Sequence, residues 1–357
     1  MPTAKRITVS ETRLRGAFVS SPIPVAVIGT GHMGRHHVRV YHELPETQLV
    51  GIVDLDLAKA RELADKFQTA AYDSIEPLLG KVKAVSVAVP TVAHLKVARP
   101  LIEAGIAVLI EKPLAPDAET ARLLHRLARE KNVLLQVGHT ERFNPVVRAM
   151  HRMGVTPKFI ETHRISPFTF RSADIGVVMD MMIHDIDVVL SLVRAKPVRV
   201  DAIGVRILAR YEDVANARVE FDNGCVANLT ASRLALKTER KIRVFSEQAY
   251  LSLDYQKKTG IAVKKDANLD LLKLARDHDA KDLSQLAGID YSKLVNVEPL
   301  QVDDVEPLRA ELQSFIDALT SGRPPEVSAE DGVAAVELAE QIVAVLKSHQ
   351  WELSDAK

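Results

Sequence analysis

The fold of this chain is decided by one stretch, Pro24-Val-Ala-Val-Ile-Gly-Thr-Gly-His-Met-Gly34. Its first residues, 25–28, are apolar and rich in β-branched side chains, which is typical of a strand buried on both faces. Gly29 and Gly31 then begin a G-x-G-x-x-G spacing, and an amphipathic segment follows it. A strand, a glycine turn and a helix in this order predict the turn that binds the phosphates of a dinucleotide.

The glycines and the first helical residues have separate roles in such a turn. Gly29 allows the tight turn, Gly31 lets a pyrophosphate approach the backbone, and Gly34 lets the helix pack close to the strand. His32 and Met33 lie at the N-terminus of the predicted helix, where free N–H groups and the positive end of the helix dipole attract phosphates. We therefore predict that these five residues bind the cofactor.

An acidic residue at the end of the next predicted strand gives the turn its second support. That strand covers residues 48–54 and ends at Asp54. A carboxylate there accepts hydrogen bonds from the adenosine ribose, and it disfavours a 2′-phosphate because no arginine follows directly. The sequence therefore predicts NAD rather than NADP. The alternative is a strand–helix turn without a ligand, in which Asp54 is an ordinary helix N-cap.

Composition argues against several classes of protein. The chain has 357 residues, enough for two domains, and its 47 basic and 47 acidic residues give no electrostatic reason to expect nucleic acid or an anionic membrane. A single Cys225 excludes an intrachain disulfide and fits the reducing cytoplasm. Residues 1–22 lack the apolar centre of a signal peptide and predict a mobile tail. No apolar run approaches the ~20 residues of a membrane span, so we predict no membrane insertion.

The order of predicted elements indicates two domains. Strand and helix alternate through residues 24–137, which predicts a parallel, doubly wound sheet of the Rossmann type. Long strands and a D-N-G turn then predict an α/β domain with a mostly antiparallel, open sheet. We place the Rossmann domain at 23–138 and a substrate-binding and oligomerisation domain at 139–357, with its C-terminal helices packed back on the first domain. The 256–305 segment is too mixed to assign.

Ligands of a doubly wound sheet lie beyond the carboxyl ends of its strands. Pro90 and Thr91 follow one predicted strand, and Glu111 and Lys112 follow another, so we assign all four to the cofactor site. The residue before a proline is held extended, which aims Lys112 over the nicotinamide end of the cofactor. A cation there lowers the pKa of a substrate hydroxyl or relays its proton. The alternative is an exposed loop lysine.

Asp180 and His184 lie four residues apart on a strongly apolar predicted helix, 177–193, and therefore share a face. Such groups are costly in an apolar helix unless they are paired or line a cavity. A carboxylate beside a histidine orients the ring and raises its basicity, as a general base requires. A solvated polar stripe is one alternative. A metal site with Asp187 is another, but no further ligand cluster is evident, and we predict no metal.

Arginines near the predicted site favour an anionic substrate, because guanidinium groups bind phosphate and carboxylate well. Arg142, Phe143 and Asn144 follow the last Rossmann strand, and Arg164 and Arg171 flank the loop before the His184 helix. We predict that these residues, with His184, bind the substrate. The alternative is that the arginines form surface ion pairs.

Together these motifs resemble the glucose-fructose oxidoreductase / inositol dehydrogenase / rhizopine catabolism (GFO/IDH/MocA) family of NAD(P)-dependent oxidoreductases. Besides the glycine turn, the resemblance rests on Val89-Pro-Thr91 with His94, Glu111-Lys-Pro113, Arg142-Phe143, Asp180-x-x-x-His184 and the ending from Glu306 to Pro325. It implies that His94 belongs to the cofactor site and that Lys112, Asp180 and His184 are catalytic. It further implies that the Lys112–Pro113 bond is often cis, and that the open sheet forms a homodimer or homotetramer.

Within the family, residues 137–145 and 172–187 are most similar to UDP-N-acetylglucosamine 3-dehydrogenases. That similarity implies a UDP-sugar substrate, oxidised to a 3-keto sugar for amino-sugar and lipid A-type biosynthesis. A dehydrogenase of a free sugar or a cyclitol such as inositol is the alternative, and a non-catalytic NAD-sensing regulator of the same fold is a third possibility. Whether Lys112 or His184 accepts the proton stays open at this point.

Overall fold

The computed structural model describes residues 21–169, 175–265 and 295–348. The predicted tail at 1–22 lies outside these ranges except for its last two residues, and Arg171 lies outside them as well. Within the described ranges, no helix is both long and apolar enough to cross a bilayer.

The first part of the chain is a parallel sheet with helices on both faces, as predicted. Its strands follow the order β3-β2-β1-β4-β5-β6, and all five neighbouring pairs are parallel. The elements in chain order are β1 (Ile23–Ile28), α1 (His32–Glu43), β2 (Thr47–Val53), α2 (Leu57–Phe67), β3 (Ala71–Tyr72), β4 (Ala84–Val87), α3 (His94–Glu103), β5 (Ala107–Glu111), α4 (Ala118–Glu130) and β6 (Leu135–Gly138). Strands β4 and β5 are buried along their whole length, which is why they are mostly apolar and show no alternation of polar and apolar residues.

The second part is a mostly antiparallel sheet of eight strands in the order β14-β13-β12-β11-β7-β10-β9-β8, in which only β7 and β10 pair in parallel. This confirms the predicted class. The elements are α5 (Pro145–Arg152), β7 (Phe159–Ile165), α6 (Ile183–Val193), β8 (Pro197–Val205), β9 (Val214–Phe221), β10 (Val226–Ser232), β11 (Glu239–Phe245), β12 (Ala249–Asp254), β13 (Thr259–Lys265), β14 (Val295–Pro299), α7 (Pro307–Ser321) and α8 (Ala329–Ser348).

Two features of this second part differ from the sequence analysis. The helix expected at 177–193 is not uniform, because Val178–Met182 form a π-helical turn (the π turn) before α6 begins. Strands β13 and β14 lie in the segment that the sequence left unassigned. Both lie at one end of the sheet, where β14 is the edge strand, so they lack the continuous apolar pattern of central strands.

The two C-terminal helices join the two sheets. Leu312 and Phe315 of α7 are fully buried in one apolar cluster with Val25 and Val27 of β1. Helix α8 packs against α4 on one side and α6 on the other, and the amide of Val137 donates to the carbonyl of Val327 at 3.1 Å. Helices α7 and α8 therefore pack against the first, parallel sheet as well as against the second part of the chain.

One face of the second sheet is covered by none of the described helices. Along β9 and β10, alternate residues are buried, as expected when only one face of a sheet packs on helices. The open face carries an aromatic group in which Phe245 lies 5.6 Å from Phe159 and 4.8 Å from Tyr250 between ring centroids.

Phe315→Ala should lower the free energy of unfolding by roughly 3–5 kcal/mol, because it removes a fully buried ring between α7 and the first sheet. Leu55→Ala is the control, since Leu55 is 96% exposed and its loss should cost less than about 0.5 kcal/mol. Urea unfolding of both variants measures the difference. Equal stability of the two variants would contradict the structural role of α7.

Candidate active site

A cleft of about 1880 Å³ lies between the first sheet and the second part of the chain. Pockets that hold one drug-sized ligand are typically ~300–1000 Å³, so this cleft has room for a dinucleotide and a second molecule. From the first sheet it is lined by the residues predicted for the cofactor: Gly31, His32, Met33, Pro90, Thr91, Glu111 and Lys112. From the second part it is lined by the π turn and His184.

The glycine turn has the geometry of a phosphate cradle. A Cβ added at Gly31 would have no heavy atom within 4 Å, so the space above this residue is open. Gly29 has φ +99°, and a Cβ there would overlap the carbonyl of Ala88, while a Cβ at Gly34 would overlap the carbonyl of Gly29. Gly31 therefore keeps space free for a ligand, whereas Gly29 and Gly34 are needed because the backbone of the turn packs too closely for a side chain. This arrangement fits a dinucleotide.

Asp54 is held at the end of β2 beneath the turn. Its Oδ2 accepts hydrogen bonds from the amide of Thr30 at 2.8 Å and from its hydroxyl at 2.6 Å, and its Oδ1 accepts from the amide of Asp56 at 3.0 Å. Burial raises the pKa of Asp54, but these hydrogen bonds outweigh it and lower the pKa below its usual value. The carboxylate is thus charged and fixed. The helix N-cap is Asp56, not Asp54.

His94 does not line the cleft, contrary to the expectation from the resemblance. Its ring is buried, with Nδ1 at 3.1 Å from the carbonyl of Leu114 and Nε2 at 3.0 Å from that of Val89. Burial lowers the pKa of this imidazole. His94 therefore connects the two loops that follow β4 and β5 through its ring nitrogens. It supports the cofactor side of the cleft without lining it.

Lys112 reaches across the cleft to Asp180. Its Nζ donates to the carbonyl oxygen of Asp180 at 2.7 Å and lies 3.4 Å from Oδ1 of the same residue. The Lys112 side chain is 19% exposed, and the Lys112–Pro113 peptide bond is cis. Lys112 thus lies at the junction of the two parts of the chain.

Asp180 and His184 both line the cleft, but they are not hydrogen-bonded to each other as the sequence analysis expected. Asp180 belongs to the π turn, and in a π-helix the side chains of residues four apart no longer lie one above the other. Its carboxylate faces Lys112 instead. Nδ1 of His184 is buried and has no partner among the described residues. Burial, and then the charge of Lys112, hold the pKa of His184 well below its usual value.

The site has a layer of polar residues behind Lys112, in which Glu111 was predicted for the cofactor site but His37 and Glu311 were not. Glu111 accepts from Nε2 of His37 at 2.8 Å and from the amide of Lys112 at 3.3 Å. Glu311 of α7 is fully buried and accepts from the hydroxyl of Thr140 at 2.9 Å. Burial, and then the nearby Glu111, raise the pKa of Glu311 well above its usual value, so the structure favours the protonated form of this carboxyl group. Its spacing from Leu308, Leu312 and Phe315 is the signal that could have revealed its buried position.

His139 follows a predicted Rossmann strand, which places it near the cofactor, but the sequence analysis assigned it no catalytic or binding role. It follows β6, is fully buried, and neither ring nitrogen has a partner within the described part of the chain. Burial, and then the charges of Arg142 and Lys112, lower the pKa of His139 to about 3. A neutral imidazole therefore lies close to His184 and Lys112. Its place at the carboxyl end of a Rossmann strand was visible in the sequence.

Of the three predicted arginines, the two that the structure describes, Arg142 and Arg164, do not form an anion site. Arg164 lines the cleft but is buried and bound to both oxygens of Asp185, at 3.0 and 2.8 Å, and to Glu141 at 3.0 Å. Arg142 lies outside the lining, with Nη1 3.3 Å from Oδ1 of Asp187. These guanidinium groups are neutralised by buried carboxylates, which a sequence cannot reveal because the partners are remote in the chain.

The neighbours of Arg142 are structural as well. Phe143 is fully buried and does not line the cleft. Asn144 caps α5 through Oδ1, which accepts from the amide of Val146 at 3.2 Å, although it also lines the cleft. Burial raises the pKa of Asp187 to about 7, despite the neighbouring Arg142.

In the described ranges no group of three or more His, Cys, Asp or Glu side chains is arranged to hold a metal ion.

Comparison with known proteins gives matches over both parts of the chain. A profile described as "Oxidoreductase family, NAD-binding Rossmann fold" matches residues 23–139, and one described as "GFO/IDH/MocA C-terminal domain" matches residues 147–252. UDP-N-acetylglucosamine 3-dehydrogenase of Acidithiobacillus ferrooxidans is 35% identical over 299 residues, which are 84% of this chain and 89% of that protein.

Two further similarities extend this result. Inositol 2-dehydrogenase of Rhizobium meliloti is 25% identical over 328 residues, which are 89% of this chain and 94% of that protein. A solved structure of UDP-N-acetylglucosamine 3-dehydrogenase from Acidithiobacillus ferrooxidans superposes with a TM-score of 0.81 at 32% identity, covering 92% of this chain and 98% of that one.

Gly31→Ala should abolish or strongly weaken NAD binding while leaving the melting temperature unchanged, because the added methyl group meets only the space kept for the pyrophosphate. Gly34→Ala is the matched variant, and it should lower the melting temperature because its methyl group overlaps the carbonyl of Gly29. Calorimetric titration with NAD and thermal unfolding separate the two effects. Normal NAD affinity in Gly31→Ala would refute the cradle.

Lys112→Met should raise the pKa of His184, because it removes the neighbouring positive charge that disfavours the imidazolium ion. NMR titration of the His184 ring measures the change, with His184→Gln used to assign the signal. Lys59→Met, which alters an exposed lysine, should leave the titration as in the wild type. A pKa that falls or stays constant in Lys112→Met would show that the two side chains do not interact.

Proposed function

The chain belongs to the GFO/IDH/MocA family of NAD-binding oxidoreductases, and on this premise we propose that it oxidises the 3-hydroxyl of UDP-N-acetylglucosamine to a ketone. One observation carries the proposal. A single cleft joins the open glycine turn at Gly31 to Lys112, Asp180 and His184. We assign cofactor binding to residues 23–138 and substrate binding to residues 139–357.

The oxidation of an alcohol to a ketone removes a hydride and a proton from the substrate. When bound against Gly31, His32 and Met33, NAD supplies the acceptor for the hydride. The chain's own side chains have to take the proton and stabilise the charge that develops on the substrate oxygen. Lys112 and His184 are the two cleft residues that we assign to these tasks.

His184 is assigned as the proton acceptor. Its pKa is held well below the usual value by burial and by Lys112, so the ring is neutral at pH 7 and has a free lone pair. Lys112 is assigned the complementary task. An ammonium group has three N–H donors, and two of them face the carbonyl and carboxylate oxygens of Asp180. The third remains for the substrate oxygen, which makes Asp180 a residue that positions Lys112.

The choice of substrate is supported by the relatives. The 35% identical relative is named for UDP-N-acetylglucosamine, and the 25% identical one is named for inositol. A cyclitol or free sugar dehydrogenase is therefore the second candidate.

We also propose that the chain forms a homodimer or homotetramer through the open face of its second sheet, where Phe159, Phe245 and Tyr250 lie close together.

Lys112→Ala should lower turnover of UDP-N-acetylglucosamine by at least about 100-fold, because the substrate oxygen loses its charged donor. NAD affinity should change little, since the glycine turn is untouched. Formation of NADH from UDP-N-acetylglucosamine, inositol and glucose measures the rates, and Lys59→Ala serves as the control.

Each outcome of this experiment is informative. Normal turnover by Lys112→Ala would refute the catalytic assignment. Turnover of inositol but not of the UDP-sugar by the wild type would favour the second candidate. NAD binding without turnover of any sugar would indicate a regulator that senses NAD and does not catalyse.

A further inference from the structure

The lining of the cleft includes three basic residues that the catalytic and cofactor assignments do not explain. Arg206, Arg210 and Lys347 line the cleft, together with Tyr211. Within the described residues, none of these three cations forms an ion pair with a carboxylate. This contrasts with Arg164 and Arg142, whose charges are neutralised by Asp185, Glu141 and Asp187.

We infer that Arg206 and Arg210, assisted by Lys347, form the subsite that binds the diphosphate of a nucleotide-sugar substrate. The inference rests on the proposed function and specifies which residues bind the diphosphate of the substrate. A diphosphate diester carries two negative charges, and guanidinium groups bind phosphate oxygens through paired N–H donors. A free sugar or cyclitol has no group that needs unpaired cations.

The loop that carries these arginines (the 206–212 loop) is a built structure. Asp213 is fully buried, and its Oδ2 accepts from the amides of Ile207 and Leu208, each at 2.6 Å, and of Ala209 at 3.2 Å. Its Oδ1 accepts from Nε of the buried Arg233 at 2.7 Å. A single buried carboxylate therefore binds three consecutive backbone amides of the loop. These bonds restrict the loop backbone and, with it, the positions of Arg206 and Arg210.

The same loop is attached to the catalytic part of the cleft. The carbonyl of Glu212 accepts from the amide of Val177 at 3.1 Å, and Oε1 of Glu212 accepts from the amide of Val178 at 3.2 Å. Arg233 also donates to the carbonyl of Ile175 at 2.7 Å. The loop therefore supports the start of the π turn, and the carboxylate of Glu212 is occupied there. The loop is therefore attached directly to the π turn that carries Asp180.

The cofactor's own phosphates do not account for these basic residues. The cradle at Gly31 belongs to the first sheet, whereas the 206–212 loop joins β8 and β9 of the second. In a Rossmann domain the pyrophosphate binds at the glycine turn and the helix N-terminus that follows it. The arginines of the loop are therefore available for a second anionic molecule.

The test replaces the two arginines singly and together in the full chain. Arg206→Gln and Arg210→Gln should each raise the KM for UDP-N-acetylglucosamine about tenfold, as expected for the loss of a charge-assisted hydrogen bond, and the double variant should raise it further. The kcat and the KM for NAD should change less than about threefold, because the lost binding is equal in the ground and transition states. Arg210→Lys should retain part of the affinity.

Arg199→Gln is the matched control. Arg199 is an exposed arginine of β8, outside the cleft lining, where it pairs with Asp201 at 3.0 Å. This variant should keep the KM of the wild type. Calorimetry with UDP, UMP and inorganic phosphate then identifies the bound group. UDP should bind the wild type most tightly, and the double variant should lose most of that affinity.

The outcomes separate this inference from the proposed function. An unchanged KM and an unchanged UDP affinity in the double variant would overturn the subsite even if the wild type oxidises the UDP-sugar. Equal binding of UDP and inorganic phosphate would overturn a diphosphate site. If the wild type binds UDP through the arginines but oxidises no UDP-sugar, the subsite stands and the proposed reaction fails.

Discussion

A hydrogen bond across the cleft, from Nζ of Lys112 to the carbonyl oxygen of Asp180 at 2.7 Å, is the contact on which the candidate site depends. It joins the end of a Rossmann strand to the π turn of the second part of the chain. Each end has its own support. Behind Lys112, Glu111 is held by His37, and the π turn is held by Glu212. Catalytic groups need placement to within ~0.5 Å, and hydrogen bonds behind both ends of the contact restrict the movement of its two partners.

The placement of Lys112 also governs the electrostatics of the cleft. Its charge, after burial, keeps the pKa of His184 low, and it contributes in the same way at His139. Two imidazoles are therefore neutral beside one cation. Behind them, burial and the nearby Glu111 raise the pKa of Glu311 and favour its protonated form. Lys112 thus places a positive charge among neutral imidazoles at the point where a substrate oxygen would lie.

Burial divides the arginines of the chain into two kinds. Arg164 and Arg233 are buried and bound to carboxylates, and they hold elements together. Arg206 and Arg210 are exposed to the cleft and have no such partners among the residues that the structure describes. A charged group that is already paired in the interior gains little by binding a ligand, since it would first have to leave its partner. The buried, paired arginines therefore stabilise the fold, whereas the arginines exposed to the cleft can bind an anionic ligand.

The sequence alone was sufficient for features that depend on neighbours in the chain. The apolar strand, the glycine turn and the helix after it are determined by local sterics and spacing, and so are most strand and helix positions. Lys112 at the end of β5 was predictable for the same reason. The π turn was not, because five residues are too few to distinguish its period from that of an α-helix. Only the tertiary structure decided that Asp180 pairs with Lys112, and that Arg164 and Arg142 are neutralised while Arg206 and Arg210 are not. Those outcomes depend on partners up to dozens of residues away, and burial in three dimensions sets the strength of each charge.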